Sequence, residues 1–336
     1  MPVTLQDVAA RANVSLATVS KVLNNRYDVA PETVELVEKA IAELGYQRAA
    51  TRRGRPSAAH PPANRSRRTQ VAASIALLIP ARNIVAMQSP LTGHLIDGVE
   101  AVARERGFHL LLTRLAEDGS LPACLDPVQV DGLIVRSTSR GMAMTLPSVP
   151  MVWIFKSGFG PTPGDLVQPD NEMIGQMAAR YLLERGHRYV AVVNPRPEHP
   201  EAQTRADRFV KFAQAAGATT LAIESESLAT DEIVTQLLSH TPPITGLFMP
   251  LGDDFVESLY GALLRRGVRC GEDMALISCN NDAVHLRTLD PRLPNIDIRA
   301  SEIGRAAAET LLWRIQHPHE HRRCILIEPQ VVEPAT

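Results

Sequence analysis

The 336-residue chain has few cysteines, few aromatic residues and no long apolar run. Its four cysteines are Cys124, Cys270, Cys279 and Cys324. Their scattered positions lack the paired spacing of a zinc site or a disulfide framework, so buried thiols are the simpler interpretation. No segment approaches the ~20 apolar residues that a membrane-spanning helix needs. Since Asp7 and Arg11 interrupt any apolar start, we expect no secretory signal peptide, a cytoplasmic location and no membrane partner.

Signatures of catalysis are also missing, which predicts a protein that is not an enzyme and needs no cofactor. The chain has neither a P-loop nor a nucleophile elbow. The glycine-rich segment at 158–164 lacks the strand and helix that flank a dinucleotide-binding fingerprint. His317, His319 and His321 lie close to Glu320, but Pro318 between them favours a surface loop over a metal site. We therefore predict no metal ligands, although this cluster leaves that alternative open.

Charge is distributed unevenly along the chain. Residues 1–70 hold 11 Lys and Arg against 6 Asp and Glu, whereas the whole chain has a net charge of -2. No acidic residue occurs from Gln47 to Ile96. A basic N-terminal segment on an acidic body predicts that a polyanion contacts the N-terminal end.

Three apolar stripes predict a compact helical bundle over residues 4–46. The first stripe has helical spacing and consists of Leu5, Val8, Ala9 and Ala12. Ser15 suits the N-cap of a second helix and Pro31 the first turn of a third. The inward face of the second helix is predicted to consist of Val19, Val22 and Leu23. The stripe of the third consists of Val34, Val37, Ile41 and Leu44.

Two helices joined by a short turn are typical of a helix-turn-helix DNA-binding motif. The outward face of the second helix carries small side chains, which allow close approach to a major groove. Leu16 and Ala17 can contact thymine methyl groups, and Lys21 can reach a guanine edge or a phosphate. Thr18 and Ser20 suit phosphate contacts. The pattern alone leaves an ordinary three-helix core as the alternative.

The run TLQDVAARANVSLATVSKVLNN, with a later helix ending in ELGY, closely resembles the DNA-binding domain of the LacI/GalR family of bacterial transcription regulators. The resemblance implies that bases are read by Leu16, Ala17 and Lys21. It implies phosphate contacts from Thr4, Ser15, Thr18, Ser20 and Asn24. The family often has arginine at the position of Lys21. Lysine lacks arginine's planar fork, so weaker discrimination for guanine is expected.

The stretch at 47–73 is rich in arginine and proline and suits a linker. Members of the family usually have a hinge helix here that wedges a leucine into the minor groove. Arg55 occupies that position, and the flanking Gly54 and Pro56 disfavour a helix. Arg53 to Pro56 instead resembles the core of an AT-hook, which lays arginines in a narrow A/T-rich groove. AT-hook-like contact, nonspecific phosphate contact and a plain linker all remain open.

From residue 74 onward, apolar strand patterns alternate with amphipathic helical patterns. Strands are predicted at 74–80, 108–115, 131–135, 150–155, 189–194, 219–224, 245–250 and 274–279. Helices are predicted at 91–107, 171–186, 205–217 and 255–267. This alternation predicts parallel sheets with helices on both faces, arranged as two lobes with a ligand cleft at the carboxyl ends of the strands. PDNEMIGQMAARYLLERGHRYVAVV, GVRCGEDMALISCNND and SEIGRAAAETLLWRI resemble the family's effector domain, which shares its fold with periplasmic sugar-binding proteins.

The resemblance carries over unevenly to the residues that hold the effector. Arg205 matches an arginine that commonly binds the ligand, and Asp253 matches the second residue of an Asn-Asp pair. Asn280 replaces a common ligand-binding aspartate, Gly252 replaces the asparagine of that pair, and Phe155 replaces another aspartate. These differences weaken the expectation of a common hexose. A polar or acidic sugar derivative and the absence of any effector both remain open.

Taken together, the sequence predicts an all-α helix-turn-helix domain at 1–47, a basic linker at 48–73 and a two-lobed α/β effector and dimerisation domain at 74–336. The predicted function is a sequence-specific transcriptional regulator, most simply a repressor. Its expected partners are a double-stranded DNA operator, a carbohydrate-like effector and further copies of itself in a homodimer or tetramer. Two alternatives remain: a cytoplasmic sugar-binding or metabolic protein, and an architectural DNA-binding protein without an effector.

Overall fold

The computed structural model describes the residues 4–15, 18–19, 22, 31–44, 73–79, 89–114, 122–125, 130–136, 146, 148–155, 163–224, 229–252, 254–280 and 289–334. The chain divides into two compact units, Met1–Thr69 and Gln70–Thr336. Within the described ranges, no helix is long and apolar enough to cross a membrane.

The N-terminal unit is helical. It contains α1 at Leu5–Ala12 and α2 at Pro31–Leu44, and helical backbone also occurs at 18, 19 and 22. The predicted stripe of α1 is confirmed, because Val8, Ala9 and Ala12 are buried and Leu5 packs against them. Val19 and Val37 are fully buried in the same cluster. The predicted inward position of Leu23 lies outside the described residues.

The second unit contains two six-stranded sheets, one in each lobe. The first sheet has the order β11-β5-β4-β3-β1-β2 and the second β12-β10-β9-β8-β6-β7. The first-sheet strands are β1 Ser74–Ile79, β2 His109–Arg114, β3 Gly132–Arg136, β4 Met151–Ile154, β5 Asp165–Pro169 and β11 Cys324–Ile327. The second-sheet strands are β6 Tyr189–Asn194, β7 Thr219–Glu224, β8 Gly246–Phe248, β9 Ala275–Cys279, β10 Asn295–Asp297 and β12 Gln330–Val332. All neighbouring strands run parallel except β10 and β12, which pair antiparallel.

Helices cover the sheets as the alternating pattern predicted. They are α3 Pro90–Glu105, α4 Asn171–Glu184, α5 Pro200–Ala215, α6 Thr230–Ser239, α7 Asp254–Arg265 and α8 Ala300–Gln316. In the first lobe α3 and α8 pack together, and in the second lobe α4 packs against α5 while α6 packs against α7. The two-lobed parallel α/β fold is therefore confirmed. The prediction placed the start of α5 at Arg205, which is wrong, because the helix begins five residues earlier with a proline in its first turn.

The chain passes between the lobes at three places. These lie between β5 and α4, between β10 and α8, and between β11 and β12. The N-cap of α4 is Asp170, whose carboxylate accepts a hydrogen bond from the Met173 backbone N–H at 2.9 Å. This cap starts a helix where the chain enters the second lobe.

A buried ion pair anchors the last helix of the first lobe to β5, the strand next to the edge of its sheet. Arg314 on α8 donates to both carboxylate oxygens of Asp165 on β5, each at 2.8 Å. The same guanidinium donates to the carbonyls of His317, Glu320 and His321. It thereby holds the histidine-rich loop, which is exposed from His317 to Arg323.

Candidate effector site and DNA-binding surface

Arg205 lies in the second turn of α5 and is only 3% exposed. Its backbone is held by the close approach of α4, because a Cβ atom on Gly175 would overlap the Arg205 carbonyl oxygen. Only glycine permits this contact between the two helices. The packing therefore fixes the point from which the guanidinium extends.

Four neutral acceptors surround the Arg205 guanidinium. Its Nε donates to Oδ1 of Asn171 at 2.8 Å. Its Nη1 lies 2.8 Å from the Pro250 carbonyl oxygen, 3.2 Å from Sγ of Cys279 and 3.1 Å from Oδ1 of Asn280. These acceptors come from the crossover into α4 and from the carboxyl ends of β8 and β9. The structure thus brings the sequence-predicted Arg205 and Asn280 into direct contact.

Asn280 adopts a left-handed backbone conformation with a φ of 78° directly after β9. Asparagine tolerates this conformation better than most residues. Gly252 lies against the same turn, and a Cβ atom there would overlap the Cys279 carbonyl oxygen. The glycine that departs from the family pattern therefore allows the turn carrying Asn280 to approach the loop after β8.

Cys279 is fully buried beside Arg205. Burial raises the pKa of the Cys279 thiol, and the nearby Arg205 guanidinium only partly opposes that effect. The residue is therefore a neutral thiol at physiological pH, so it accepts a weak hydrogen bond and supplies no negative charge.

The sequence prediction missed Arg136 and Glu201. Arg136 ends β3 in the first lobe, and its buried Nε has no hydrogen-bond partner in the described part of the chain. Burial lowers the pKa of Arg136, and the Glu201 carboxylate on α5 partly offsets this effect. These residues place opposite charges on the two lobes. A polar residue directly after the predicted strand 131–135 was the available signal, since ligands bind at carboxyl ends of strands.

Phe155 and Asp253 are the remaining effector contacts that the sequence predicts. Phe155 follows β4 with a φ of 66° and packs into the large apolar cluster of the second unit, Gln70–Thr336, which we call the effector unit. A bulky residue rarely adopts such a backbone conformation, and strained positions concentrate at functional sites. Asp253 lies outside the described residues. Effector contact by either residue stays a prediction.

A cavity of about 560 Å³ lies beside the Arg205 cluster, a volume in the usual range for small-molecule sites. Both lobes contribute to its wall, with Gln168 and Leu326 from the first and the starts of α4 and α5 from the second. Its lining residues are Gln168, Asp170, Asn171, Glu172, Met173, Gln176, Pro200, Glu201, Thr204, Arg208 and Leu326. Among the described residues, Arg205 does not line the cavity. Asn171 does line it and accepts a hydrogen bond from Arg205.

In the N-terminal unit, Thr4 and Ser15 both cap helices. Thr4 and Asp7 form a reciprocal capping box at the start of α1, and these hydrogen bonds lower the pKa of Asp7. Oγ of Ser15 accepts from the Thr18 backbone N–H at 3.1 Å and lies 2.8 Å from Oγ1 of Thr18. Since two hydroxyls that share one hydrogen bond retain one unused O–H, this pair can still donate to a phosphate.

The other sequence-predicted DNA contacts fall outside the described residues. They are Leu16, Ala17, Ser20, Lys21, Asn24, Arg53 and Arg55. Of the predicted surface, the described part thus contains Thr4, Ser15 and Thr18. Their hydroxyls lie at the starts of consecutive helical segments, where backbone N–H groups also favour anions.

Comparison with known protein families supports both units. Residues 4–49 match the family described as bacterial regulatory proteins, lacI family, and residues 179–336 match the periplasmic binding protein-like domain. The ribose operon repressor of Haemophilus influenzae is 27% identical over 98% of this chain and 97% of its own length. The HTH-type transcriptional repressor PurR of Klebsiella pneumoniae subsp. pneumoniae is 30% identical over 98% and 95%.

Solved structures share the fold over the whole chain. A complex of the transcriptional regulator CelR with cellobiose has a TM-score of 0.65 at 24% identity, covering 99% of both chains. A Lac repressor dimer bound to operator has a TM-score of 0.63 at 19% identity, covering 99% of this chain and 98% of that one. A helix-turn-helix unit joined to a two-lobed binding unit defines the DNA-binding transcriptional regulators controlled by an effector. The chain belongs to the LacI family of bacterial regulatory proteins.

Proposed function

We propose that this chain represses transcription from a pseudo-palindromic operator as a homodimer or tetramer, and that a small carbohydrate-like molecule in the interlobe cleft changes its operator affinity. The observation that carries the proposal is the buried Arg205, held by both the crossover and the strand ends. Relatives support it: two are repressors by name, and structural neighbours contain cellobiose and ribose. The dimer is supported by the Lac repressor structure.

The effector acts by shifting the balance between two lobe arrangements. Arg205 and Asn280 hold it from the second lobe, with Asp253 and Phe155 as further predicted contacts. Because three chain crossings join the lobes, a ligand that contacts both lobes favours one relative orientation. That preference changes the spacing of the DNA-binding units and hence operator affinity.

On the DNA, Leu16, Ala17 and Lys21 read bases in the major groove, while Thr4, Ser15, Thr18, Ser20 and Asn24 hold phosphates. The shared hydroxyl pair of Ser15 and Thr18 supports the second assignment. Arg53 and Arg55 of the predicted 48–73 linker lie in the minor groove at the operator centre. The domain limits 1–47, 48–73 and 74–336 belong to the same proposal.

The proposed protein works in the cytoplasm and is not an enzyme. Repression requires access to chromosomal DNA, and the curated relatives are repressors. The buried polar groups that surround Arg205 are neutral hydrogen-bond acceptors, a set that suits binding of a polar ligand.

The test is selection of binding sites from random-sequence DNA, followed by affinity measurements on the best site. We expect an inverted repeat, with one half-site for each copy of the chain. Lys21→Ala should weaken binding and relax the preference at one base pair by about 1–3 kcal/mol. Lys39→Ala, which removes the same charge from an exposed position of α2, is the matched control. Selection of no defined sequence, or equal losses in both variants, would refute the proposed DNA interface.

The linker contact has its own test. Arg53→Ala and Arg55→Ala should weaken binding most on operators with A/T-rich centres, because a narrow minor groove attracts arginine. Equal loss on all centres would remove the minor-groove contact. Diffuse preference for A/T-rich DNA without an inverted repeat would favour an architectural protein instead.

A further inference from the structure

The positive charge of Arg205 has no ion-pair partner within the described residues. A guanidinium has five N–H donors. Nε donates to Asn171, and the two N–H groups of Nη1 face three neutral acceptors. Among the residues that the structure describes, the hydrogen-bond partners of Arg205 are bound by Nε and Nη1, and none is bound by Nη2. A buried cation with only neutral partners is costly unless an anion joins it.

The groups nearest to Arg205 do not neutralise it. Cys279 is a neutral thiol because burial raises its pKa. Asn280 supplies an amide oxygen where the family commonly has a carboxylate. Asp297 is near enough to raise the pKa of Cys279, but its Oδ1 accepts a hydrogen bond from the Arg299 backbone N–H at 2.7 Å.

Glu201 is engaged elsewhere. It lies one helical turn before Arg205 on α5 and acts electrostatically on Arg136 of the first lobe. Arg136 and Glu201 therefore offset one another across the cleft, and no carboxylate of the described residues forms a hydrogen bond with the Arg205 guanidinium.

We propose that the effector carries an anionic group, a carboxylate or a phosphate, that accepts hydrogen bonds from Nη2 of Arg205. This inference rests on the proposed function, since it names the chemical class of the molecule in that cleft. The effector is then a sugar acid or sugar phosphate, and its anionic group supplies the counter-charge that the described residues do not. The neutral Asn280 is the specificity determinant, because an aspartate there would occupy the guanidinium and repel the ligand.

The test is calorimetric binding to the full-length protein without DNA, using gluconate, glucose, ribose 5-phosphate and ribose as probes. We expect at least one acid or phosphate to bind about 10-fold or more tightly than its neutral counterpart, as a charged hydrogen bond worth 1.5–3 kcal/mol implies. Tighter binding of gluconate would identify the anionic group as a carboxylate, and tighter binding of ribose 5-phosphate would identify it as a phosphate. Tighter binding of the neutral sugars, or failure of both anions to bind, would overturn the proposal.

Variants distinguish ligand charge from general damage to the cleft. Asn280→Asp should weaken binding of the anion about 10-fold or more while leaving a neutral sugar less affected. Gln214→Glu adds the same charge near the far end of α5 and should change neither affinity. Equal losses for both ligand classes in Asn280→Asp would contradict the proposal.

Operator binding separates this inference from the proposed function. A selected inverted repeat that is bound and then released by a neutral sugar would leave the regulator intact and refute the anionic effector. Absence of any specific operator would instead refute the proposed function, whatever the calorimetry gives.

Discussion

Two buried arginines in the effector unit have opposite surroundings. Arg314 in the first lobe forms two hydrogen bonds with the carboxylate of Asp165 and caps the carbonyls of the following loop. Arg205 in the second lobe contacts an amide, a carbonyl, a thiol and a second amide. The charge of Arg314 is balanced by Asp165, and the pair stabilises the fold. Arg205 has no carboxylate partner in the part of the chain that the structure describes, which is the property expected of a residue that binds a ligand.

Breaking the Arg314 pair should have the largest effect on stability. Arg314→Met leaves the Asp165 carboxylate, which is 1% exposed, without its cation. Removing one partner of a buried pair costs about 3–5 kcal/mol, so chemical denaturation should reveal a loss of that size. Arg104→Met on α3 is the control, because its pair with Glu100 is exposed. Comparable losses in the two variants would contradict a structural role for Arg314.

Removal of Arg205 should give the reverse pattern. Arg205→Gln leaves only neutral acceptors without their donor. We therefore expect a stability loss of about 1–3 kcal/mol, smaller than for Arg314. Effector-dependent change in operator affinity should disappear, whereas operator affinity without effector should remain. Fluorescence anisotropy with labelled operator measures both. Retention of the effector response would show that Arg205 is a second structural arginine.

Disturbing the turn beside Arg205 should reduce stability about as much as removing Arg205. Gly252→Ala places a methyl group against the Cys279 carbonyl and must displace the turn that holds Asn280. We expect weaker effector binding with a stability loss of about 1–3 kcal/mol, as is usual for overpacking. Gly186→Ala, at a left-handed turn with open space around it, controls for strain alone. If both substitutions reduce effector affinity equally, the Gly252 contact has no special role.

The pH dependence of unfolding should come from groups other than these arginines. The hydrogen bond to Asp165 raises the pKa of Arg314, which therefore stays charged throughout. Burial, with a smaller contribution from Arg185, lowers the pKa of His187. The unfolded state then binds more protons than the native state, so the contribution of His187 is present above a pH of about 6.5 and is lost as pH falls further. His187→Gln should reduce the pH dependence of the free energy of unfolding between about pH 7 and pH 5, measured by chemical denaturation. An unchanged pH dependence would show that His187 does not contribute to it.

Much of this fold was predictable because its central strands are continuous apolar runs. The strands at Tyr189–Asn194 and Thr219–Glu224 agree with prediction at both ends. β5 was missed because Asp165 and Gln168 interrupt its pattern, and the partner that accommodates Asp165 lies on α8. Short strands such as β10 depend similarly on distant neighbours.

The candidate site was predictable only in part. Family resemblance pointed to Arg205 and Asn280, which the structure joins. The contacts with Asn171 and Cys279 depend on how separate strands and helices meet, and no local pattern predicts them. Glu201 was missed because the predicted start of α5 came too late.

The most direct test of the missing counter-charge is the thermal stability of Asn280→Asp without ligand. An aspartate beside Arg205 supplies the absent carboxylate, so the melting temperature should rise by roughly 2–4 °C, as a gain near 1 kcal/mol gives in a domain of this size. Asn194 is a fully buried asparagine that donates to Gln203, and its Oδ1 accepts from the backbone N–H of Arg196 rather than from a guanidinium. Asn194→Asp therefore adds a charge without a cationic partner and should lower the melting temperature. If Asn280→Asp destabilises the protein as much as Asn194→Asp, Arg205 is already neutralised and the account of the effector site is wrong.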